Sequence, residues 1–231
     1  MDPFSKSQLT LRNNSGNIIK PGEDGTLVIL LLDRSGSMQE HGQTPRISAN
    51  ENLQQLKSMP GAERTQMSIW TFAHDATVDI PPQPLLSIEE LKHYEASGGT
   101  ALYHVVGEAL RTGLEFEQFA LEAYGSRISV AISVITDGHD TDPKRHQYHP
   151  RCLAFAKHAR EHGFNLGVIG IGVDGPHIAR QIGFEPGYSH SVENSQQGVR
   201  SATEHSSVLF SVTMMGAQPP PSSDPPSSDS R

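Results

Sequence analysis

The sequence predicts an α/β domain: a doubly wound, mostly parallel sheet with helices on both faces. Largely apolar runs at Leu27–Leu32 and Ile128–Ile135 read as strands buried on both sides. Between them lies a helical stripe, with Leu102, Val105, Val106, Ala109 and Leu110 at the i, i+3, i+4 spacing of an amphipathic helix. The 231 residues suit one domain of this kind. Strands that alternate with helices favour parallel pairing through helical crossovers.

In chain order, residues 1–25 are polar, with turn signals at Asn13-Asn14-Ser15-Gly16 and Pro21-Gly22, and read as an arm or an extra hairpin. The domain is expected over residues 26–216. After the strand at Leu27–Leu32, Ile47–Leu56 has helical spacing at Ile47, Leu53 and Leu56. Met67–Phe72 alternates with period two, and Ala76–Ile80 can pair with it as a hairpin across His74-Asp75. Leu85–Tyr94 reads as a short helix or turn leading to Ser97-Gly98-Gly99-Thr100, and Ala101–Phe116 as the amphipathic helix. Ile128–Ile135 is the next strand, followed by a helix at Cys152–His162 and a strand at Leu166–Val173. A short helix at Ile178–Ile182, an edge strand at Tyr188–Val192 and a closing helix over Ser195–Met214 complete the pattern. Residues 217–231 are rich in Pro, Ser and Asp, cannot bury a core and are expected to be disordered.

Composition excludes several classes. Lys and Arg total 18 against 26 Asp and Glu, a formal charge of -8. A net negative chain without a basic block is a poor partner for nucleic acid or anionic membranes. The longest continuous apolar run, Leu27–Leu32, is too short to span a bilayer, and Met1-Asp2-Pro3-Phe4-Ser5-Lys6 shows no signal-peptide pattern. Cys152 is the only cysteine, which favours a reducing cytoplasm. There is no Gly-x-x-x-x-Gly-Lys phosphate loop and no Gly-x-Ser-x-Gly nucleophile elbow. Gly167-Val168-Ile169-Gly170-Ile171-Gly172 lies within a strand, so it is no dinucleotide loop; its small residues allow close packing.

Three separated stretches form one candidate metal site: Asp33-Arg34-Ser35-Gly36-Ser37, Thr100 and Asp137. Each lies where an apolar run gives way to a Gly-containing loop. If the sheet order reverses between the strands ending at Asp33 and Asp137, those strands are neighbours about 4.8 Å apart. The two carboxylates then share one edge, where a divalent cation relieves their repulsion. With the hydroxyls of Ser35, Ser37 and Thr100 the donors are oxygen only, a set that suits hard cations such as Mg²⁺.

Asp33-Arg34-Ser35-Gly36-Ser37-Met38, Ser97-Gly98-Gly99-Thr100-Ala101-Leu102 and Ile135-Thr136-Asp137-Gly138 together resemble the metal-ion-dependent adhesion site of von Willebrand factor type A (vWA) domains. The resemblance covers roughly Thr26 to Met214 and fills all five signature positions. It implies a Rossmann-like vWA fold in which Ser35, Ser37 and Thr100 bind Mg²⁺ directly, with Mn²⁺ or Ca²⁺ as substitutes, while Asp33 and Asp137 act through water. It further implies that a protein partner completes the coordination with an Asp or Glu. The short chain is most similar to free-standing bacterial vWA proteins of the cytoplasm, some of which accompany ATPases. The expected function is thus a non-enzymatic, Mg²⁺-dependent interaction module. The alternatives are a metal-assisted phosphoester hydrolase using His139 or Asp140 as base, and an assembly subunit whose ion only stabilises the fold.

Other groups read more plainly. His139, His146 and His149 could form a zinc site, although their spacing fits no common motif and solvated loop histidines are the simpler reading. Asp140 and Asp142 extend the acidic rim or cap the next helix. His158 and His162 stand four apart on a helix, where a solvated face is favoured over a metal site. Ser35 and His139 as nucleophile and base would require a serine not committed to metal. Cys152 reads as a buried small residue, and Trp70 as core.

Overall fold

The computed structural model describes residues 22–216. The first 21 residues, most of the expected amino-terminal arm, and the Pro-rich segment 217–231 lie outside the described residues. Six strands and five α-helices follow in the order β1 (Gly25–Asp33), α1 (Thr44–Lys57), β2 (Thr65–Phe72), β3 (Ala76–Pro84), α2 (Leu102–Tyr124), β4 (Ile128–Thr136), α3 (Arg145–Glu161), β5 (Asn165–Ile171), α4 (Gly175–Gln181), β6 (His190–Val192) and α5 (Gln196–Met214). They form one sheet of order β3-β2-β1-β4-β5-β6, parallel throughout except for the β2–β3 hairpin.

Burial on both faces follows from the period-two geometry of a strand. Leu27, Ile29 and Leu31 of β1 point into a core with Leu102, Val105, Val106 and Phe116 of α2 and small residues of α3 and α4. Val28, Leu30 and Leu32 point the other way, against Leu53 and Leu56 of α1 and Val199, Leu209 and Phe210 of α5. Trp70 is core, with its indole N–H donating to Ser68 Oγ at 2.7 Å. Gly167 and Gly170 allow close packing as expected: a Cβ on Gly167 would stand 2.7 Å from the Tyr188 carbonyl oxygen, and one on Gly170 2.5 Å from that of Val173.

The four largest departures from the sequence pattern are these. Helix α3 begins at Arg145, seven residues before the expected Cys152, and tolerates Pro150 within it. Its buried face is only Cys152, Ala156 and Ala159, too weak a stripe to reveal the first two turns. Helix α2 runs on to Tyr124 and stops at Gly125, whose φ of 65° supplies the left-handed cap. Strand β3 continues through Pro81, Pro82 and Pro84, a run permitted because β3 lies at the sheet edge. Of Leu85–Tyr94 only Leu85–Ser87 is helical, a single 3₁₀ turn. The rest is held irregularly, with Asn50 accepting from the Leu91 N–H and donating to its carbonyl.

Candidate functional site

Strands β1 and β4 are hydrogen-bonded neighbours with Leu32 opposite Ile135, so Asp33 and Asp137 leave the sheet at the same edge. This is the point where successive crossovers turn to opposite sides, and where open α/β sheets present ligand crevices. Asp33 is fully buried. Its Oδ1 accepts from the Ser35 backbone N–H at 2.7 Å and its Oδ2 from the Thr136 hydroxyl at 2.5 Å. Ser35 and Ser37 hydroxyls lie 3.1 Å apart, and Ser37 donates to Asp137 Oδ1 at 2.8 Å. Asp33, Ser35, Ser37 and Asp137 are therefore one connected polar group.

Thr100 arrives on a separate loop strapped to the first. Ser97 N–H donates to the Arg34 carbonyl at 2.7 Å and Gly36 N–H to that of Gly98 at 2.9 Å. Gly36 allows that approach, since a Cβ there would stand 3.3 Å from Gly98 O. Gly98 has φ of 79° and presses against His74, a conformation and a space that suit glycine. Thr100 is buried, and Thr141 fixes its backbone: Thr100 N–H donates to Thr141 Oγ1 and Thr141 N–H to Thr100 O, both at 2.8 Å. Among the described residues no hydrogen bond joins the Thr100 hydroxyl to the other four. Its tie to the group is the loop.

The electrostatics follow from burial. Desolvation pushes the Asp33 carboxyl up to about 6, opposed by the Thr136 and Ser35 hydrogen bonds and reinforced slightly by Asp137. Burial also raises Asp137, with the Ser37 bond opposing it. Arg34, the adjacent cation, is turned aside to Asp75 at 2.8 Å and to Thr77. Two carboxylates thus face each other across hydroxyls, a donor set that a hard divalent cation fits. Hydroxyls that give their protons to carboxylates keep their lone pairs for such an ion. A cavity of about 550 Å³ opens beside Thr100, between His74, His104, Lys144 and Tyr148.

A model of the von Willebrand factor type A domain matches residues 28–205. The chain belongs to the von Willebrand factor type A family. Type A domains are protein-interaction modules. Solved structures share its fold: the pilus adhesin SpaC of Lactobacillus rhamnosus GG has 13% identity and a TM-score of 0.61, over 84% of this chain and 31% of that one. Proximal thread matrix protein 1 from the mussel byssus, solved with zinc in its adhesion-site motif, has 16% identity and a TM-score of 0.54, over 84% of this chain and 47% of that one. The von Willebrand factor domain of the pilus tip protein Mfa5 from Porphyromonas gingivalis has 10% identity and a TM-score of 0.57, over 89% and 99%. This chain therefore spans less than half of SpaC and of the mussel protein. A search of curated proteins finds no match.

The remaining expectations meet this type A frame with mixed outcomes. His139, His146 and His149 do not gather: His149 bonds the Gln181 carbonyl through Nε2 at 2.9 Å, and His139 packs on His177. Among the described residues no group of three or more His, Cys, Asp or Glu could hold a metal ion. Asp140 is buried rather than on the rim, and it caps α2 rather than the next helix, accepting from Tyr103 N–H at 2.7 Å and Asp142 N–H at 2.8 Å. Cys152 is buried with its thiol pushed up to about 12 by desolvation, so it is no nucleophile. No helix of the described residues is long and apolar enough to cross a membrane. Sequence reasoning missed Thr136, Thr141 and Tyr94, the last donating to the Asp33 carbonyl at 2.6 Å. Only Thr136, adjacent to Asp137, carried a positional signal.

Proposed function

We propose that this chain is a non-enzymatic interaction module that captures an acidic side chain of a protein partner through a divalent cation. Ser35, Ser37 and Thr100 would hold the ion directly, with Asp33 and Asp137 acting through water. The observation that carries the reading is the continuous chain Asp33–Ser35–Ser37–Asp137, drawn from the ends of two adjacent strands, with no Lys or Arg side chain bonded into it among the described residues. Asp33 spends both carboxylate oxygens on protein donors, which supports its acting one step removed from the ion. When bound, the ion supplies an electrophilic position for an outside carboxylate. The protein's own residues set its charge, orient the hydroxyls and leave the edge open. Mg²⁺ is the proposed ion because all five donors are oxygen.

Residues 26–216 would constitute the module. The lone, buried Cys152 supports a reducing compartment such as the bacterial cytoplasm, whereas several fold neighbours are pilus proteins. An ATPase-associated assembly is one setting that would suit such an adaptor. The hydrolase alternative is disfavoured by Asp140, whose oxygens are both engaged by backbone N–H groups.

Affinity capture from source-cell extract tests the reading. A partner should be retained by the wild type in Mg²⁺ and released by EDTA, and Thr100→Ala should fail to retain it while keeping its far-UV spectrum. Equal retention in all three samples would sink it.

A further inference from the structure

We propose that His158 and His162 form a second, unrelated metal site for a divalent d-block ion that accepts imidazoles at right angles, Ni²⁺ or Cu²⁺. His158 lies in the last turn of α3 and His162 caps that helix, its backbone N–H donating to the His158 carbonyl at 3.1 Å, so the two side chains are neighbours one turn apart. Their ring centres are 4.4 Å apart. Two imidazoles bound through one nitrogen each at about 2.0–2.1 Å would place their ring centres about 4.5 Å apart at a right angle and about 5.2 Å apart in a tetrahedron. The rings meet edge to face at 62°, and their spacing is nearer the right-angle arrangement of tetragonal or octahedral ions than the tetrahedral one.

A carboxylate orients the His162 ring for this role. His162 Nδ1 lies 2.6 Å from Glu117 Oε2 on α2. A carboxylate only accepts, so Nδ1–H is the donor, and the neutral ring then presents its lone pair at Nε2. His158 Nδ1 stands 3.7 Å from Glu161 Oε2, beyond hydrogen-bond reach. An outer carboxylate that fixes the tautomer and raises basicity is the usual partner of a ligating histidine. Glu117 is half-buried, and the two histidine side chains are 57% and 40% exposed, so an ion can reach them from solvent. With two protein ligands the site is open, and water fills the rest.

The site is chemically and spatially separate from the Asp33 edge. It offers nitrogen where that edge offers oxygen. It also lies at the opposite end of the sheet, because α3 descends from the β4 edge and His162 precedes the start of β5. Its fate is therefore independent of the adhesion-site reading.

Isothermal titration of the untagged full chain with Ni²⁺, in excess Mg²⁺, decides the matter. The tightest Ni²⁺ event should vanish in both His158→Ala and His162→Ala, weaken by about tenfold in Glu117→Gln, and persist in Thr100→Ala. Circular dichroism checks that each variant keeps its helices, which exposed positions on a helix surface allow. Wild-type protein that binds no Ni²⁺ at millimolar concentration, or a tightest event untouched by either histidine substitution, overturns the proposal.

Discussion

The Asp33 carboxyl gives the sharpest test of the site's electrostatics. It is fully buried, and desolvation raises it from 3.8 to about 6 in the folded chain. A carboxyl raised on folding contributes stability that is complete below its unfolded value and is lost as pH rises through its folded one. The difference, converted at 1.36 kcal/mol per unit, means that ionised Asp33 costs the metal-free fold about 3 kcal/mol above about pH 7. Asp33→Asn mimics the protonated state and should not show this loss. Urea unfolding in EDTA, run from about pH 4 to about pH 8, should find wild type and variant similar in acid. The wild type should then fall behind by roughly 3 kcal/mol at the alkaline end. Saturating Mg²⁺ should close the gap in the wild type alone, because a ligand at a hundredfold its Kd returns about 2.7 kcal/mol. A difference independent of pH, or one that opens towards acid, would refute the argument from burial.

Thr136→Val removes a donor to a buried carboxylate and should cost about 1.5–3 kcal/mol in urea unfolding, while moving the onset of Mg²⁺ binding to higher pH. Gly98→Ala should cost about 1–2 kcal/mol for left-handed backbone and lower Mg²⁺ affinity by displacing the His74 contact, measured by thermal unfolding and titration. Phe116→Ala, in the core far from the edge, should lose about 3–5 kcal/mol, with metal-dependent capture unchanged in the protein that remains folded. Asp140→Ala should lose about 0.5–2 kcal/mol as a cap of α2, and any phosphoesterase turnover that falls with it would revive the hydrolase reading.

The fold was readable where burial imposes a pattern on both faces. Strand β1 is apolar at every position from Leu27 to Leu32 because helices cover it on both sides, and α2 shows its stripe because one face meets the sheet. Helix α3 was readable only from Cys152, since its inner face is built of small residues that make no apolar signal. The sheet order mattered most: the β1–β4 adjacency, assumed from the two Asp positions, is present in the register of Leu32 and Ile135. Asp33 ends β1 and the other four predicted site residues lie in the segments beyond the strands that the sheet brings to one edge, yet the groups that aim them were not legible. Tyr94 reaches Asp33 from an irregular segment 61 positions away, and Thr141 pins Thr100 from 41 positions away. Such contacts depend on loop paths that no local periodicity encodes.

Asp33, Thr100 and Asp137 belong to three segments that meet only when β1, β4 and the strapped 97–100 loop are all in place. Whatever binds across them recognises the finished sheet and little that precedes it. Its effect then falls on the escape from the native state: the unfolding rate drops with occupancy while the folding rate stays where the bare chain sets it. For a newly made chain such a ligand is no help in reaching the fold. For a folded one it lengthens the lifetime against proteolysis and heat.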